Sequence, residues 1–274
     1  MTDDTTTCIS VIVRHARTGV TCMLHCDQLN FDYENVLQIK NLILEILEIA
    51  SSCPALSSNS EVSNEKFYLS LLGGYLDEND VSERLFVNLL RNFNSLRLDV
   101  KIDLRCVFTG SANTKEVKPK FGPMIDSFIP GPKIYGAAVH ISTGKMFNAV
   151  LDHFDMNNVP LALIRRSMMV FQRTFYWNIY DTINDRFRFT ARPLSYCLRF
   201  MKDYFEEKLH LSDDEILLSN STSPYVEPDH FVTNFRSTCL FFFENCQNNL
   251  SEEFFPNGFE RTFSVQNHKW TEIK

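Results

Sequence analysis

Residues 8–26 read CISVIVRHARTGVTCMLHC, with two β-branched and apolar runs on either side of the turn Arg17-Thr18-Gly19. β-branched residues fit a pleated strand, and a glycine between two such runs is typical of a hairpin turn. The stretch therefore predicts a β-hairpin made of the strands Cys8–Arg14 and Val20–His25.

Four further elements complete the first half of the chain. Apolar residues recur at helical spacing in the first of them, and the buried strand that follows ends at Gly73-Gly74. A second helix and a long strand come next, and alternation along this strand puts Leu98 and Leu104 on one face. The predicted order is helix Tyr33–Ala50, strand Lys66–Leu72, a helix over about 80–92, and strand Leu96–Phe108.

Residues 109–132 are rich in Gly, Pro, Ser and Lys, and are interpreted as the link between two halves, 1–108 and 133–274, of a single domain spanning 1–274. The second half repeats the order hairpin, helix, strand without obvious sequence identity to the first. Its predicted elements are strands Lys133–Ile141 and Lys145–Leu151, helix Pro160–Phe171, strands Phe175–Tyr180 and Arg186–Ala191, helices Ser195–Lys208 and Asp229–Glu244, and a short strand pair within Gly258–Ile273.

This repeated order predicts an α+β fold, with two packed mixed β-sheets flanked by helices and built from pseudo-duplicated β-β-α-β units. Packing two sheets face to face with the helices outside buries both apolar faces of each sheet. The chain has 274 residues and a hydrophobic share of 44%, which is enough for a sizeable core without disulfides or metal.

Charge and composition exclude several classes of partner. The net charge is −7 and no Lys/Arg run is present, so nucleic acid is not an expected partner. No stretch reaches the length of a membrane span, and residues 1–4, MTDD, do not have the pattern of a signal peptide. The eight cysteines are irregularly spaced and are expected to be reduced, which predicts a cytoplasmic or nuclear protein. Cys22 and Cys26 lack a second pair of ligands, so we expect no metal.

Cys8 and His25 form the first candidate site. The start of one antiparallel strand lies beside the end of its partner, so the hairpin brings these two residues together. The thiolate is the reactive form of cysteine, a neighbouring histidine can take its proton, and backbone N–H groups at the turn into Cys8 are candidate donors to an oxyanion. From spacing alone the structural interpretation is favoured, with Cys8 as a small buried apolar residue and His25 as a polar strand end. His15, close to the turn, is interpreted as a surface residue.

The second candidate site is the segment Ser219–Phe231, which reads SNSTSPYVEPDHF. Two prolines and several hydroxyl residues predict a rigid polar loop that leads into a helix, with Asp229 as its N-cap. A carboxylate fixed at Glu227 in such a loop is suited to binding a cation, although the pattern by itself favours a solvated surface glutamate.

Several motifs, taken together, resemble the family of protein N-terminal asparagine amidohydrolases. They are DDTTTC at 3–8, VIVRH at 11–15, TCMLHCD at 21–27, LLGGY at 71–75, YGAAV at 135–139, and STSPYVEPDHFV at 221–232 followed by RST at 236–238. Any one of these is a weak signal. Their combination is specific, because the motifs occur in the family's order and span most of the chain.

The spacing from the cysteine to the histidine also resembles that of bacterial chemoreceptor glutamine deamidases and cytotoxic necrotizing factors. These resemblances imply the thiol-hydrolase fold of those proteins, an α/β/β/α arrangement of two packed sheets flanked by helices, in agreement with the fold predicted above. Two features depart from the family pattern. Several dozen residues precede the cysteine motif in the family and residues 1–7 precede it here, and region 159–210 is longer and more aromatic than expected.

The resemblance implies hydrolysis of the side-chain amide of an N-terminal asparagine, giving N-terminal aspartate and ammonia. Cys8 is the implied nucleophile, His25 its base, and Thr2 the residue that orients His25. Glu227 is implied to read the free α-ammonium group of the substrate. Further candidates for substrate binding are Asp4, Asp3, Ser223 and Tyr225.

The implied enzyme is a monomer without a cofactor, and its partners are proteins or peptides with a free N-terminal asparagine. In eukaryotes the family acts in the N-degron branch of protein turnover, where the aspartate product is arginylated and then recognised by a ubiquitin ligase. Two alternatives remain open. One is a glutamine deamidase for internal side chains, which needs no Glu227 and accepts N-acetylated substrates. The other is an inactive module that binds N-terminal asparagine or aspartate.

Overall fold

The computed structural model of the chain describes residues 5–27, 33–51, 65–96, 98–149, 180–181, 184, 186–190, 201–245, 260–266 and 269–273. The chain divides into two compact units, one made of Met1–Leu151 with Leu217–Pro228 and the other of Asp152–Ile216 with Asp229–Lys274. Every described residue of the two candidate sites that carries a proposed catalytic or substrate-binding role belongs to the first unit.

The first unit contains a four-stranded sheet with the strand order β2-β1-β3-β4. The strands are β1 Ile9–His15, β2 Thr21–Cys26, β3 Lys66–Gly73 and β4 Lys101–Phe108. β1 pairs antiparallel with β2 and β3, whereas β3 and β4 are parallel, so the sheet is mixed. The predicted hairpin is confirmed, and each of its strands begins and ends one residue later than predicted.

Two predicted helices are confirmed in this part of the sequence, α1 Tyr33–Ser51 and α2 Val81–Ser95. α2 connects the parallel strands β3 and β4, since two parallel neighbours need a crossover and cannot be joined by a tight turn. Leu85, Leu89 and Phe93 are buried along one side of α2. Their spacing of four residues places them on one face of the helix, one above another.

The central strand β1 is buried on both faces, which explains its composition. Ile9, Val11 and Val13 alternate with Ile12 along the strand, and each is at most 2% exposed. On the Ile12 face, Leu72 from β3 and Ala137 complete a core cluster with Ile12. A strand covered on both sides is typically apolar throughout, so residues 9–13 carry no solvent-facing charge.

Four short strands complete the first unit as two antiparallel ribbons. They are β5 Thr114–Val117 paired with β6 Ile129–Pro132, and β7 Ala137–His140 paired with β8 Lys145–Asn148. The ribbon of β7 and β8 confirms the predicted second hairpin, with shorter strands. Arg14 ties this hairpin to the first one, because its Nη1 donates to the carbonyl oxygens of Gly19 and Ile141, both at 2.6 Å.

The second unit contains another four-stranded sheet, with the order β12-β11-β10-β9. Its strands are β9 Tyr180–Asp181, β10 Arg186–Thr190, β11 Glu260–Gln266 and β12 Lys269–Ile273. The predicted pair within Gly258–Ile273 is confirmed, and Arg186–Ala191 pairs with a preceding strand at Tyr180, while residues 175–179 of the predicted strand Phe175–Tyr180 lie outside the described residues. All described pairings in this sheet are antiparallel, so the expected mixed pairing is not found in its described strands. The predicted helix Pro160–Phe171 lies outside the described residues.

The remaining helices are α3 Lys202–His210, α4 Asp213–Asn220 and α5 Phe231–Asn245. α3 packs on α5 through Phe205 and Phe242, whose ring centroids are 5.1 Å apart. The N-cap prediction for Asp229 is wrong, because the carbonyl of His230 accepts the first helical hydrogen bond of α5, from Asn234 at 2.9 Å. No helix among the described residues is both long and apolar enough to cross a bilayer. The α+β class is thus confirmed, and the specific thiol-hydrolase arrangement stays a prediction.

His15 is fully buried, which corrects its predicted surface position. Its Nδ1 lies 2.8 Å from the Thr18 hydroxyl, and its Nε2 lies 2.7 Å from Oε2 of Glu65, whose Oε1 accepts a hydrogen bond from Arg17 at 2.5 Å. Burial opposes the ionisation of Glu65. The hydrogen bonds from Arg17 and His15 outweigh that effect and hold the pKa of this carboxyl below its ordinary value.

Replacing Glu65 with glutamine is expected to lower the free energy of unfolding at neutral pH by about 1–3 kcal/mol, since hydrogen bonds to a charged group are lost. The native pKa lies below the unfolded value of about 4.3. The contribution of the carboxylate is therefore present above that pH and is lost as the pH falls through the lower native pKa. Urea unfolding of the wild type and of Glu65→Gln, from neutral to acidic pH, should show the difference between their free energies of unfolding becoming smaller. Glu116→Gln on β5 is the control. A difference that does not change with pH would contradict the role of the ionised group.

Candidate functional site

The position of Cys8 relative to His25 follows from the strand register. Ile9 pairs with Cys26 and Ser10 pairs with His25, so Ser10 and His25 point to the same face of the sheet. Side chains alternate along a strand, which puts Cys8, two residues before Ser10, on that face as well. Diagonal neighbours in such a pair have Cα atoms roughly 7–8 Å apart, within reach of long side chains. The hairpin therefore brings His25 beside Cys8.

The chain reaches Cys8 through a buried run of three threonines, each at most 3% exposed. Thr5 donates twice to the carbonyl oxygen of Tyr135, from its backbone N at 2.7 Å and from its hydroxyl at 2.8 Å. The carbonyl oxygen of Thr7 accepts a hydrogen bond from the Ser82 hydroxyl at 3.2 Å. Cys8 is thus held at the end of an anchored segment, while it is itself only half-buried.

Gly73 allows β3 to approach the segment before the nucleophile closely. Its φ is +102°, and a Cβ built at this position would lie 2.7 Å from the carbonyl oxygen of Cys8. A backbone atom cannot move aside as the end of a flexible side chain does, and a positive φ strains any residue with a Cβ. These two constraints give a physical reason for the first glycine of the Gly73-Gly74 pair.

Glu227 is a buried carboxylate, 6% exposed, that contacts the same segment. Its Oε1 atom accepts hydrogen bonds from three hydroxyl groups: Ser221 at 2.5 Å, Thr6 at 3.2 Å and Ser223 at 3.4 Å. Since Thr6 lies two residues before Cys8, the carboxylate is tied directly to the chain that carries the thiol. The surface position that the local pattern favours for Glu227 is therefore wrong.

The loop that carries Glu227 is anchored at further points within the first unit. The hydroxyl groups of Thr222 and Thr7 lie 2.6 Å apart. The Tyr135 hydroxyl donates to the carbonyl oxygen of Val226 at 3.0 Å. These bonds join positions far apart in sequence, so they hold the loop against the segment before Cys8.

Ser223 and Tyr225, predicted to bind substrate, make contacts that support this loop. Ser223 is buried and donates to Glu227. The ring of Tyr225 packs against the ring of Phe121, with 5.3 Å between their centroids. It also lies against Gly122, where an added Cβ would be 2.7 Å from Cε1 of Tyr225. The other predicted site residues, Thr2, Asp3 and Asp4, lie outside the described residues.

The surroundings of Cys8 disfavour its ionisation. Burial raises the pKa of the thiol most, and the carboxylates of Asp27 and Glu227 raise it further. A hydrogen bond with Thr7 acts in the opposite direction and is outweighed. Because thiolate is the reactive form, Cys8 needs a base in order to react at neutral pH, and His25, diagonal to it in the register, is the candidate.

Sequence reasoning missed Thr6 and Ser221, which hold Glu227, and the charge of Asp27. Thr6 and Asp27 occur inside the quoted motifs, but nothing in a local pattern shows that Thr6 binds a carboxylate 221 positions away. The signal for Asp27 was present, because the residue after Cys26 falls opposite Cys8 once the hairpin register is drawn.

The five cysteines within the described residues, at positions 8, 22, 26, 106 and 239, are free thiols. In the same part of the chain, no group of three or more His, Cys, Asp or Glu side chains could hold a metal ion. The described site holds a thiol, an imidazole, carboxylates and hydroxyl groups.

Comparison with known proteins finds one family and several curated relatives. The sequence matches the protein N-terminal asparagine amidohydrolase family over residues 1–272. Proteins of that name are 30% identical over 239 residues in Mus musculus, 29% over 239 in Homo sapiens and 25% over 245 in Arabidopsis thaliana. The two mammalian matches cover 87% of this chain and 66% of the relative, and the plant match covers 86% and 65%. The chain thus spans about two thirds of the length of the curated relatives it matches.

Proposed function

Because the chain belongs to the protein N-terminal asparagine amidohydrolase family, we propose that it hydrolyses the side-chain amide of an N-terminal asparagine to give N-terminal aspartate and ammonia. One observation carries the proposal. A half-buried thiol has a histidine diagonal to it on the next strand, and a buried carboxylate is hydrogen-bonded to the segment that precedes the thiol. The proposed nucleophile Cys8, base His25 and cation-binding residue Glu227 all belong to the first unit.

In the first half of the reaction, His25 takes the proton from Sγ of Cys8 as the sulfur attacks the carboxamide carbon. Backbone N–H groups near Cys8 stabilise the oxyanion of the tetrahedral intermediate. The C–N bond then breaks, His25 returns the proton to the leaving nitrogen, and ammonia departs. The product of this half is a thioester between Cys8 and the substrate side chain.

In the second half, water replaces ammonia. His25 takes a proton from the water as its oxygen attacks the thioester carbon. The C–S bond breaks, the sulfur regains a proton from His25, and aspartate remains at the N-terminus of the product. Both halves need a base next to Cys8, in line with the raised pKa of the thiol.

Glu227 is proposed to select a chain terminus by binding the free α-ammonium group. A buried carboxylate held by three hydroxyl groups presents a fixed negative charge, which suits a charge-assisted hydrogen bond. Glutamine differs from asparagine by one methylene group, which a simple pocket distinguishes by only about 1–3 kcal/mol. Fixing the ammonium group sets how far the amide can extend, and this reach supplies the remaining discrimination.

The aspartate product places the protein in the N-degron branch of protein turnover, with proteins that begin with asparagine as substrates. Its compartment is proposed to be a reducing one, cytoplasm or nucleus, in which the free thiols of the described residues would stay reduced.

Peptides beginning with Asn, N-acetyl-Asn and Gln test the function directly when incubated with the purified chain and analysed by mass spectrometry. We expect conversion of the free Asn peptide alone. Cys8→Ala should abolish it, because this variant lacks the proposed nucleophile, whereas Cys106→Ala on β4 should retain it as the matched control. Equal conversion of the acetylated peptide would instead indicate a deamidase of internal side chains. A folded protein that converts none of the three would contradict the proposed activity.

A further inference from the structure

The described surroundings of Cys8 carry an excess of negative charge. Asp27 follows β2 directly and lies opposite Cys8 in the hairpin register. Glu227 approaches from its loop and is held by Thr6. Asp27 is exposed, so water screens its charge, whereas Glu227 is buried and acts through a medium that screens less.

The neighbouring elements bring further groups to this region. The titratable ones are His25 and Cys26 on β2, Tyr75 after β3 and Tyr135 before β7. Lys120 brings a positive charge to the loop, and its Nζ donates to the backbone carbonyl oxygen of Glu227 at 3.2 Å. A thiolate at Cys8 would thus add negative charge to a cluster that already holds two carboxylates.

The substrate of the proposed reaction carries the charge that this cluster would attract. Its α-ammonium group is positive at neutral pH and is the group that Glu227 is proposed to bind. Once bound, the ammonium group would offset the negative charge of the buried Glu227 carboxylate, which is hydrogen-bonded to the segment before Cys8. The α-carbon of asparagine lies only two bonds from the amide carbon that Cys8 attacks, so the positive charge and the nucleophile would be neighbours.

We propose that the α-ammonium group of the substrate activates the enzyme as well as anchoring the substrate, because its charge at Glu227 allows Cys8 to pass its proton to His25. This inference rests on the proposed function and extends it. In the resting enzyme Cys8 stays a neutral thiol, and His25 stays without that proton. In the complex the proton moves from Sγ to the imidazole, and the resulting thiolate and imidazolium lie beside the bound ammonium.

The inference changes what an acetylated terminus does. If the ammonium group only anchored the substrate, acetylation would mainly raise KM. If it also permits ionisation of Cys8, acetylation lowers kcat as well. The nucleophile is then unreactive towards molecules that do not present a free terminus.

Alkylation by iodoacetamide measures this activation without turnover. The carboxamide of iodoacetamide is similar to the asparagine side chain, and an Ala-Gly-Gly peptide fills the ammonium site while leaving the amide position open. At a peptide concentration that suppresses hydrolysis of an Asn-Gly-Gly substrate, we expect Cys8 to be alkylated about tenfold faster at pH 7, as for a thiol pKa lowered by one unit. N-acetyl-Ala-Gly-Gly should leave the rate unchanged.

Two variants separate the charge effect from a fold effect. Glu227→Gln should raise the rate of alkylation without peptide and remove the acceleration by the free peptide. Asp27→Asn should also raise the rate without peptide but keep the acceleration, and Glu83→Gln on α2 should resemble the wild type. Unchanged alkylation with the free peptide, in a preparation that hydrolyses Asn-Gly-Gly, would overturn the activation and leave the proposed function standing. A folded preparation that fails to hydrolyse Asn-Gly-Gly would overturn both.

Discussion

Replacing His25 with alanine is expected to lower kcat for an N-terminal Asn peptide at pH 7 by about 10²–10⁴-fold, the usual contribution of a positioned acid–base group. The physical reason is the state of Cys8. Burial and the neighbouring carboxylates raise the pKa of the thiol, so a negligible fraction is thiolate at neutral pH without a base. His25 lies diagonal to Cys8 in the hairpin register and is the described histidine placed to take the proton.

The pH dependence of the variant gives a second measurement of the same role. Without His25 the reaction depends on Cys8 ionising by itself, so log kcat should keep rising with pH towards the raised pKa of the thiol. In the wild type the proton passes to His25, so the rate should not follow the ionisation of the isolated thiol. His140→Ala is the matched control, because His140 is exposed at the end of β7 and its Nδ1 lies within hydrogen-bond distance of the Thr143 hydroxyl. A variant within a few-fold of wild type at pH 7 would exclude His25 as the base.

The elements that the sequence predicted well are those specified by local pattern. The β1–β2 hairpin was predicted to within one residue, because its turn and its β-branched runs are adjacent in sequence. β4 begins at Lys101 and not at Leu96, since Leu96 is buried at the end of α2. An apolar residue just after a helix resembles the start of a strand when only periodicity is considered.

His15 shows where local pattern fails. Its position beside a polar turn indicated exposure, but its partner Glu65 lies 50 positions later in the chain. The same limit applies at the candidate site. The register of Cys8 and His25 was predictable from one hairpin, whereas the hydroxyl groups that hold Glu227 come from both ends of the first unit. Family resemblance singled out Glu227 by its place in a motif, and only tertiary structure gives the reason for that place.

Replacing Glu227 with glutamine is expected to lower kcat/KM for a free Asn peptide by about 10²–10³-fold, or about 3–4 kcal/mol, the usual cost of removing one partner of a buried charged pair. Glutamine keeps the shape and can still bond to the surrounding hydroxyl groups, so the fold should persist. Steady-state kinetics on free and N-acetylated peptides measure the effect. Because the acetylated peptide has no ammonium group for Glu227 to bind, its slow rate should not fall, and discrimination between the two peptides should collapse.

Control variants show whether the charge or its surroundings matter. Thr6→Val removes one hydrogen bond to Oε1 of Glu227. It should lower kcat/KM by the equivalent of about 1 kcal/mol, far less than loss of the charge. Glu116→Gln, on the exposed strand β5, should have no effect. Equal losses with both peptides in Glu227→Gln would mean that this residue supports the loop without reading the terminus.

The two effects expected of Glu227→Gln run in opposite directions, which makes the variant decisive. Removing the negative charge should make Cys8 easier to ionise in the empty site, so the thiol alkylates faster. The same change removes the anchor for the ammonium group, so hydrolysis of the free Asn peptide slows. Damage to the fold would also expose Cys8 and speed its alkylation, because burial raises the pKa of this thiol most. The comparison is therefore made on a variant whose urea unfolding transition matches that of the wild type. A more acidic Cys8 in a slower enzyme would therefore assign to Glu227 both the recognition of the terminus and the restraint of the nucleophile.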